Sequence, residues 1–150
     1  MNASGTAKRP VRAVWTEASD PGRWSGFAEA LSGGRRGFVC RIVEGPSDPP
    51  GNGTEIEVSR AGGAPLLRCR VAWWDPLRGF TVTARSEGWL TGSHGTFTLR
   101  LSELDESLTS LDLSMQFVFL NRLVELSSLL LPVGFMYRRR LLRVLQLLKG

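Results

Sequence analysis

Residues that usually announce chemistry are scarce in this chain of 150 residues. It has one histidine, His94, two cysteines, Cys40 and Cys69, and one tyrosine, Tyr137. A single histidine and two distant cysteines match no metal-ligand spacing, so no metal is expected. There is no Ser/His/Asp order, no paired-carboxylate site, no HExxH motif and no phosphate loop. Gly51-Asn52-Gly53 reads as a turn, because no helix follows it. No cofactor is expected either. Long apolar runs are also missing. The stretch Phe117 to Met136 contains Asn121, Arg122 and Glu125, and its uncharged part, Leu126 to Met136, is too short to cross a bilayer. Met1 to Arg9 lacks the apolar centre of a secretory leader. The expectation is a cytoplasmic protein.

Acidic residues are fewer than basic ones, 14 against 19, which gives a formal charge of +5. The basic residues are scattered apart from Arg35-Arg36 and Arg138-Arg139-Arg140, and no nucleic-acid motif accompanies them. No nucleic-acid partner is expected. The length suits one domain with a substantial core.

What is present is periodicity. Pro10 opens a short helix whose Val11, Val14, Trp15 and Ala18 share a face. Asp20-Pro21 starts a second, with Asp20 as N-cap, and Trp24, Phe27 and Leu31 follow at helical spacing before Gly33-Gly34. From Gly37 the period drops to two. Six strands are predicted: Phe38–Glu44, Thr54–Arg60, Pro65–Trp74, Gly79–Ser86, Ser93–Leu101 and Leu108–Phe119. Leu67, Cys69, Val71 and Trp73 oppose Arg68, Arg70 and Ala72. Phe97 and Leu99 oppose Thr98 and Arg100, and Leu113, Met115 and Phe117 oppose Asp112, Ser114 and Gln116. One face is apolar and the other polar, as in an antiparallel sheet covered on one side. A long helix is then predicted from about Arg122 to Lys149, with Leu123, Leu126, Leu130, Gly134, Tyr137, Leu141, Leu145 and Leu148 on one stripe. Val124, Leu131, Phe135 and Leu142 widen that stripe. At 1.5 Å per residue the helix would be about 40 Å long. Pro132 should kink it. Sheet and helix must cover each other.

Val14-Trp15 followed by Ser19-Asp20-Pro21-Gly22-Arg23-Trp24, then Val71-Ala72-Trp73-Trp74-Asp75-Pro76 with Arg78 and Phe80, then Gly92-Ser93-His94-Gly95-Thr96-Phe97-Thr98-Leu99, form an ordered set. Together with the element order they resemble the START-like, or SRPBCC, superfamily, in particular its bacterial polyketide cyclase/dehydrase and lipid-transport group. The resemblance implies an α+β helix-grip fold, a curved antiparallel sheet of six strands wrapped around a long C-terminal helix, with two short helices near the N-terminus. Residues 10–150 would form a single START-like domain. The family's first strand would have to come from residues 1–9, which are poor in strand-forming residues. They are either a degenerate seventh strand or a ragged end, and in the second case the edge beside Leu108–Phe119 would be open to dimerisation. The family's strand order would put one strand between Cys40 and Cys69, beyond disulfide reach.

The resemblance also implies a cavity between sheet and helix for a hydrophobic small molecule: a polyketide, an aromatic metabolite or a lipid. Candidate lining residues are Trp24, Phe27, Leu67, Val71, Trp73, Phe97, Leu113, Met115, Phe117, Leu130, Gly134, Met136 and Leu141. Arg85, Ser86 and Glu87 are candidates for its mouth. Tyr137 and His94 are the catalytic candidates for a cyclase- or dehydratase-like reaction without cofactor. His94 is opposed in parity to Phe97 and Leu99 and needs a bulge at Gly92 or Gly95 to face inward. A non-catalytic carrier of lipid or metabolite is the alternative. A membrane-surface protein docking through Arg138–Arg140 is the weakest reading, because a run of arginines on a helix is ordinarily a solvated face. The protein is expected to be a monomer or a homodimer.

Overall fold

The computed structural model describes residues 1–86, 93–118 and 133–150, without the side chains of residues 133 and 134. The elements run β1 (Asn2–Ala7), α1 (Val11–Ser19), α2 (Trp24–Leu31), β2 (Phe38–Glu44), β3 (Glu55–Arg60), β4 (Pro65–Asp75), β5 (Gly79–Ser86), β6 (His94–Asp105), β7 (Leu108–Val118) and α3 (Val133–Lys149). A single 3-10 turn, Pro21–Arg23, joins α1 to α2. The seven strands form one antiparallel sheet in the order β1-β7-β6-β5-β4-β3-β2. This is the helix-grip architecture. The predicted helix before residue 133, with Pro132 and its kink, lies outside the described residues.

Capping chemistry sets the 3-10 turn between the two short helices, neither of which has a side-chain cap of its own. The Asp20 carboxylate accepts a hydrogen bond from the Gly22 N–H at 2.9 Å, and Pro21 occupies the first turn where its missing N–H costs nothing. The Trp24 indole N–H donates to the Ala18 carbonyl at 3.1 Å, which fixes α2 against the end of α1.

The first strand exists. β1 pairs with β7 from Asn2–Ser114 to Ala7–Thr109, so β7 is covered and the two edge strands of the sheet are β1 and β2. Its poverty in large residues has a physical reason. Ala3, Gly5 and Ala7 alternate on the inner face, where the last turns of α3 lie close. A Cβ on Gly5 would stand 2.7 Å from the Lys149 Nζ. Small residues cost strand propensity and allow the helix to approach.

A bulge in β4 changes one inward row. The register passes from Val71 opposite Val82 to Trp73 opposite Thr81, so the chain turns over at Ala72. Val71 stays buried, but Trp73 is exposed and Trp74 takes the inner position. Trp74 stacks on Phe80 at 5.5 Å and meets Trp15 edge-on at 5.0 Å.

The main core lies between β1, β6, β7, α1 and α3. Val14, Ala18, Leu99, Leu111, Leu113, Leu141, Val144, Leu145 and Leu148 are all buried there. Full burial of each leucine contributes about 1.5–3 kcal/mol. A smaller cluster of Trp24, Ile56, Val58, Cys69 and Val71 sits under α2.

Candidate functional site

The inner face of the sheet changes character along its strands. Towards the ends that carry Leu67, Ser86, Gly95 and Phe117, the side chains are apolar but only partly covered. Leu67 keeps 37% of its surface exposed, although it shares the face of the buried Cys69 and Val71. Val82, Ala84, Phe97 and Phe117 are half-buried. The register holds them together: Phe97 faces Val82 and Met115, Gly95 faces Ala84 and Phe117, and Leu67 faces Ser86. Gly95 leaves room for the Phe117 ring, to which a Cβ there would come as close as 3.1 Å. From the helix side, Tyr137 is half-buried with its ring 4.7 Å from that of Phe117. The Arg140 guanidinium covers the Tyr137 ring at 4.6 Å.

Polar groups on this surface are few. Ser86 is half-buried and paired opposite Leu67. The Ser25 hydroxyl of α2 accepts from the Cys40 N–H at 3.2 Å. Both thiols are free: β3 separates them, with Cys40 opposite Val58 and Cys69 opposite Ile56. Burial raises the Cys40 thiol, and the Ser25 hydroxyl opposes that in part. Burial pushes Cys69 up to about 12, with Cys40 adding to the effect. Neither is a thiolate near neutrality, so neither is an activated nucleophile. Among the described residues no cluster of histidine, cysteine or carboxylates could hold a metal.

The candidates from sequence divide into four groups. Trp24, Val71, Leu113, Met115 and Leu141 are buried core. Leu67, Phe97, Phe117, Ser86 and Tyr137 gather at the half-covered end, whereas Phe27 of α2 lies beside Leu147 and Leu148 of α3. Trp73, Met136, Arg85 and His94 lie elsewhere. The bulge turns Trp73 outward, and Met136 is exposed on the solvent side of α3. Arg85 and His94 pair with one another in register on the exposed outer face, since β6 has no register shift near Gly95 to turn His94 over. Leu130 and Glu87 fall outside the described residues. Gly134 belongs to the first turn of α3, seven residues before Leu141. Sequence reasoning passed over Val82 and Ala84, whose strand alternates threonine with small apolar residues and so carries a weak signal.

Two hollows open elsewhere on the surface. One, of about 510 Å³, lies beside the β4–β5 turn between Val11, Trp73, Leu77, Arg78 and Arg100. The other, of about 200 Å³, lies between Phe27, Gly26 and Leu147.

No protein-family model matches the chain, and no curated protein matches it in sequence. Solved structures do match over its whole length. A protein from Chromobacterium violaceum is 17% identical with a TM-score of 0.60, covering all of this chain and 96% of that one. Norcoclaurine synthase from Thalictrum flavum, solved with dopamine and hydroxybenzaldehyde, is 15% identical with a TM-score of 0.58, covering 97% and 86%. A Streptomyces aromatase/cyclase is 21% identical with a TM-score of 0.55, covering 79% and 66%. These likenesses establish the architecture alone: the chain has the helix-grip fold. No helix among the described residues is long and apolar enough to cross a membrane.

Proposed function

We propose that the protein binds an apolar small molecule, a polyketide, aromatic metabolite or lipid, against the half-covered end of the inner sheet face. One observation carries this. The row of Leu67, Val82, Ala84, Phe97 and Phe117 is apolar and lies on the inner face, yet it remains partly exposed where the same face is elsewhere sealed. Completing its cover with a ligand is worth about 25 cal/mol per Å² of apolar surface removed from water. The fold neighbours support the reading, since one carries the name of an aromatase/cyclase and another was solved with two aromatic compounds.

Tyr137 supports a second reading, cyclase- or dehydratase-like turnover. Its ring is held between Phe117 and Arg140 at the edge of this surface, where its hydroxyl can polarise a ligand carbonyl. Simple carriage requires only the apolar wall. Both readings are tested by titration with a neutral apolar dye such as N-phenylnaphthylamine, and by native mass spectrometry for a co-purified ligand. Gly134→Leu should weaken dye binding by filling space beside the sheet, and unchanged affinity would move the site elsewhere. Tyr137→Phe should leave folding intact while altering turnover or selectivity, and identical behaviour would remove Tyr137 from the site.

A further inference from the structure

The whole net charge of the protein resides on α3. Between Val133 and Lys149 there are five basic residues, Arg138, Arg139, Arg140, Arg143 and Lys149, and no acidic one. The other 14 basic residues of the chain are matched in number by its 14 acidic residues. Elsewhere some of the described cations lie beside carboxylates: Arg9 and Arg23 meet Glu17, Arg41 and Arg68 meet Glu57, and Arg78 meets Asp75. None of the ion pairs between described residues involves α3.

The solvent side of the same helix is apolar to an unusual degree. Phe135 is 58% exposed, Leu147 47%, and Met136 and Leu142 43% each. Phe135, Arg139, Leu142 and Gln146 recur at helical spacing along one line, flanked by Arg138 and Arg143. The Arg139 guanidinium rests on the Phe135 ring at 4.8 Å, so charge and apolar surface form one patch. Phe135 and Leu142 belonged to the expected inward stripe. The helix instead buries Leu141, Val144, Leu145 and Leu148 and turns these two outward.

We propose that this face of α3 docks on an anionic lipid bilayer, with Phe135 and Leu142 entering the headgroup region and Arg138, Arg139 and Arg143 binding lipid phosphates or carboxylates. An interfacial helix combines apolar side chains that penetrate with long basic ones that reach back to the charged surface. A second copy of the chain fits poorly, because a two-fold contact would oppose arginines with no carboxylate on either helix. A nucleic acid would use the charges and leave the apolar side chains without a role.

The test uses the full chain in flotation with vesicles of phosphatidylcholine alone and of phosphatidylcholine with phosphatidylserine. Binding is expected only to the anionic vesicles and should fall with salt. Replacing Arg138, Arg139 and Arg143 together with glutamine should reduce partitioning about a hundredfold, at about fivefold per charge. Phe135→Ser with Leu142→Ser should reduce binding at every salt concentration. All five positions are exposed, and far-UV circular dichroism with thermal melting checks that the variants fold. Three results would overturn the proposal: no flotation of the wild type at low salt, equal binding by the glutamine variant, or a wild-type dimer that the serine variant dissociates without any vesicle binding. Tighter binding to duplex DNA than to anionic vesicles at equal salt would also overturn it. Retained dye binding in the glutamine variant would separate this face from the proposed ligand site.

Discussion

The two ends of the inner sheet face are built from similar residues and behave differently. At one end Leu99, Leu111 and Leu113 meet Leu141, Leu145 and Leu148, with Val14 and Ala18 closing the side, and almost no surface is left. At the other end Phe97, Phe117, Leu67 and Val82 are as apolar but remain half-covered. Hydrophobicity is shared, and the difference comes from what stands opposite. The sealed end is made by small residues on β1, where Ala3, Gly5 and Ala7 let α3 settle against the sheet. At the half-covered end the Phe97 and Phe117 rings stay partly in water. Stability is therefore concentrated at one end, and the other is where ligand binding is proposed.

The largest expected effect lies at the sealed end. Leu145→Ala should destabilise the protein by about 3 kcal/mol in urea unfolding, because a fully buried leucine leaves a cavity. Phe97→Ala at the half-covered end should cost about 1 kcal/mol while weakening dye binding, since its ring is already partly in water. Equal losses at both sites would erase the distinction. Gly5→Val should cost about 1 kcal/mol or less, because the flexible end of Lys149 can move aside and Leu145 is at ordinary contact distance, as a thermal melt would register.

The smallest expected effect concerns the Arg9–Glu17 pair, joined at 2.9 Å beside the sealed end. The hydrogen bond from Arg9 holds the Glu17 carboxyl below its ordinary value of 4.5, against an opposing effect of burial. A depressed carboxyl stabilises the fold above its unfolded pKa, and that contribution disappears as pH falls through the folded value. Glu17→Gln should therefore cost under about 1 kcal/mol at neutral pH. The gap between variant and wild type should close below pH 4.5, as urea unfolding across the acid range would record.

Much of the fold was legible because alternation and capping act locally. The strands Phe38–Glu44 and Gly79–Ser86 have the bounds their turns imply, and Asp20 is a cap, although of the 3-10 turn Pro21–Arg23 and not of the helix that follows at Trp24. Trp73 was misjudged because a bulge leaves no mark in an alternating pattern until the register is known. β1 was ambiguous because its propensity yields to a tertiary need for small residues. On α3 nearly every position is apolar or arginine, so periodicity alone could not tell that Leu141 faces in while Phe135, Met136 and Leu142 face out. The candidate site suffered most from this. Its residues are defined by incomplete burial, which depends on what packs opposite and not on the residue itself.

The most direct measurement is a titration of the wild type and Ala84→Leu with the neutral apolar dye. Ala84 is half-buried opposite Gly95 in the middle of the half-covered row. The account predicts saturable one-site binding that weakens about tenfold in the variant, equivalent to losing roughly 55 Å² of apolar contact. The same affinity in both proteins would contradict it.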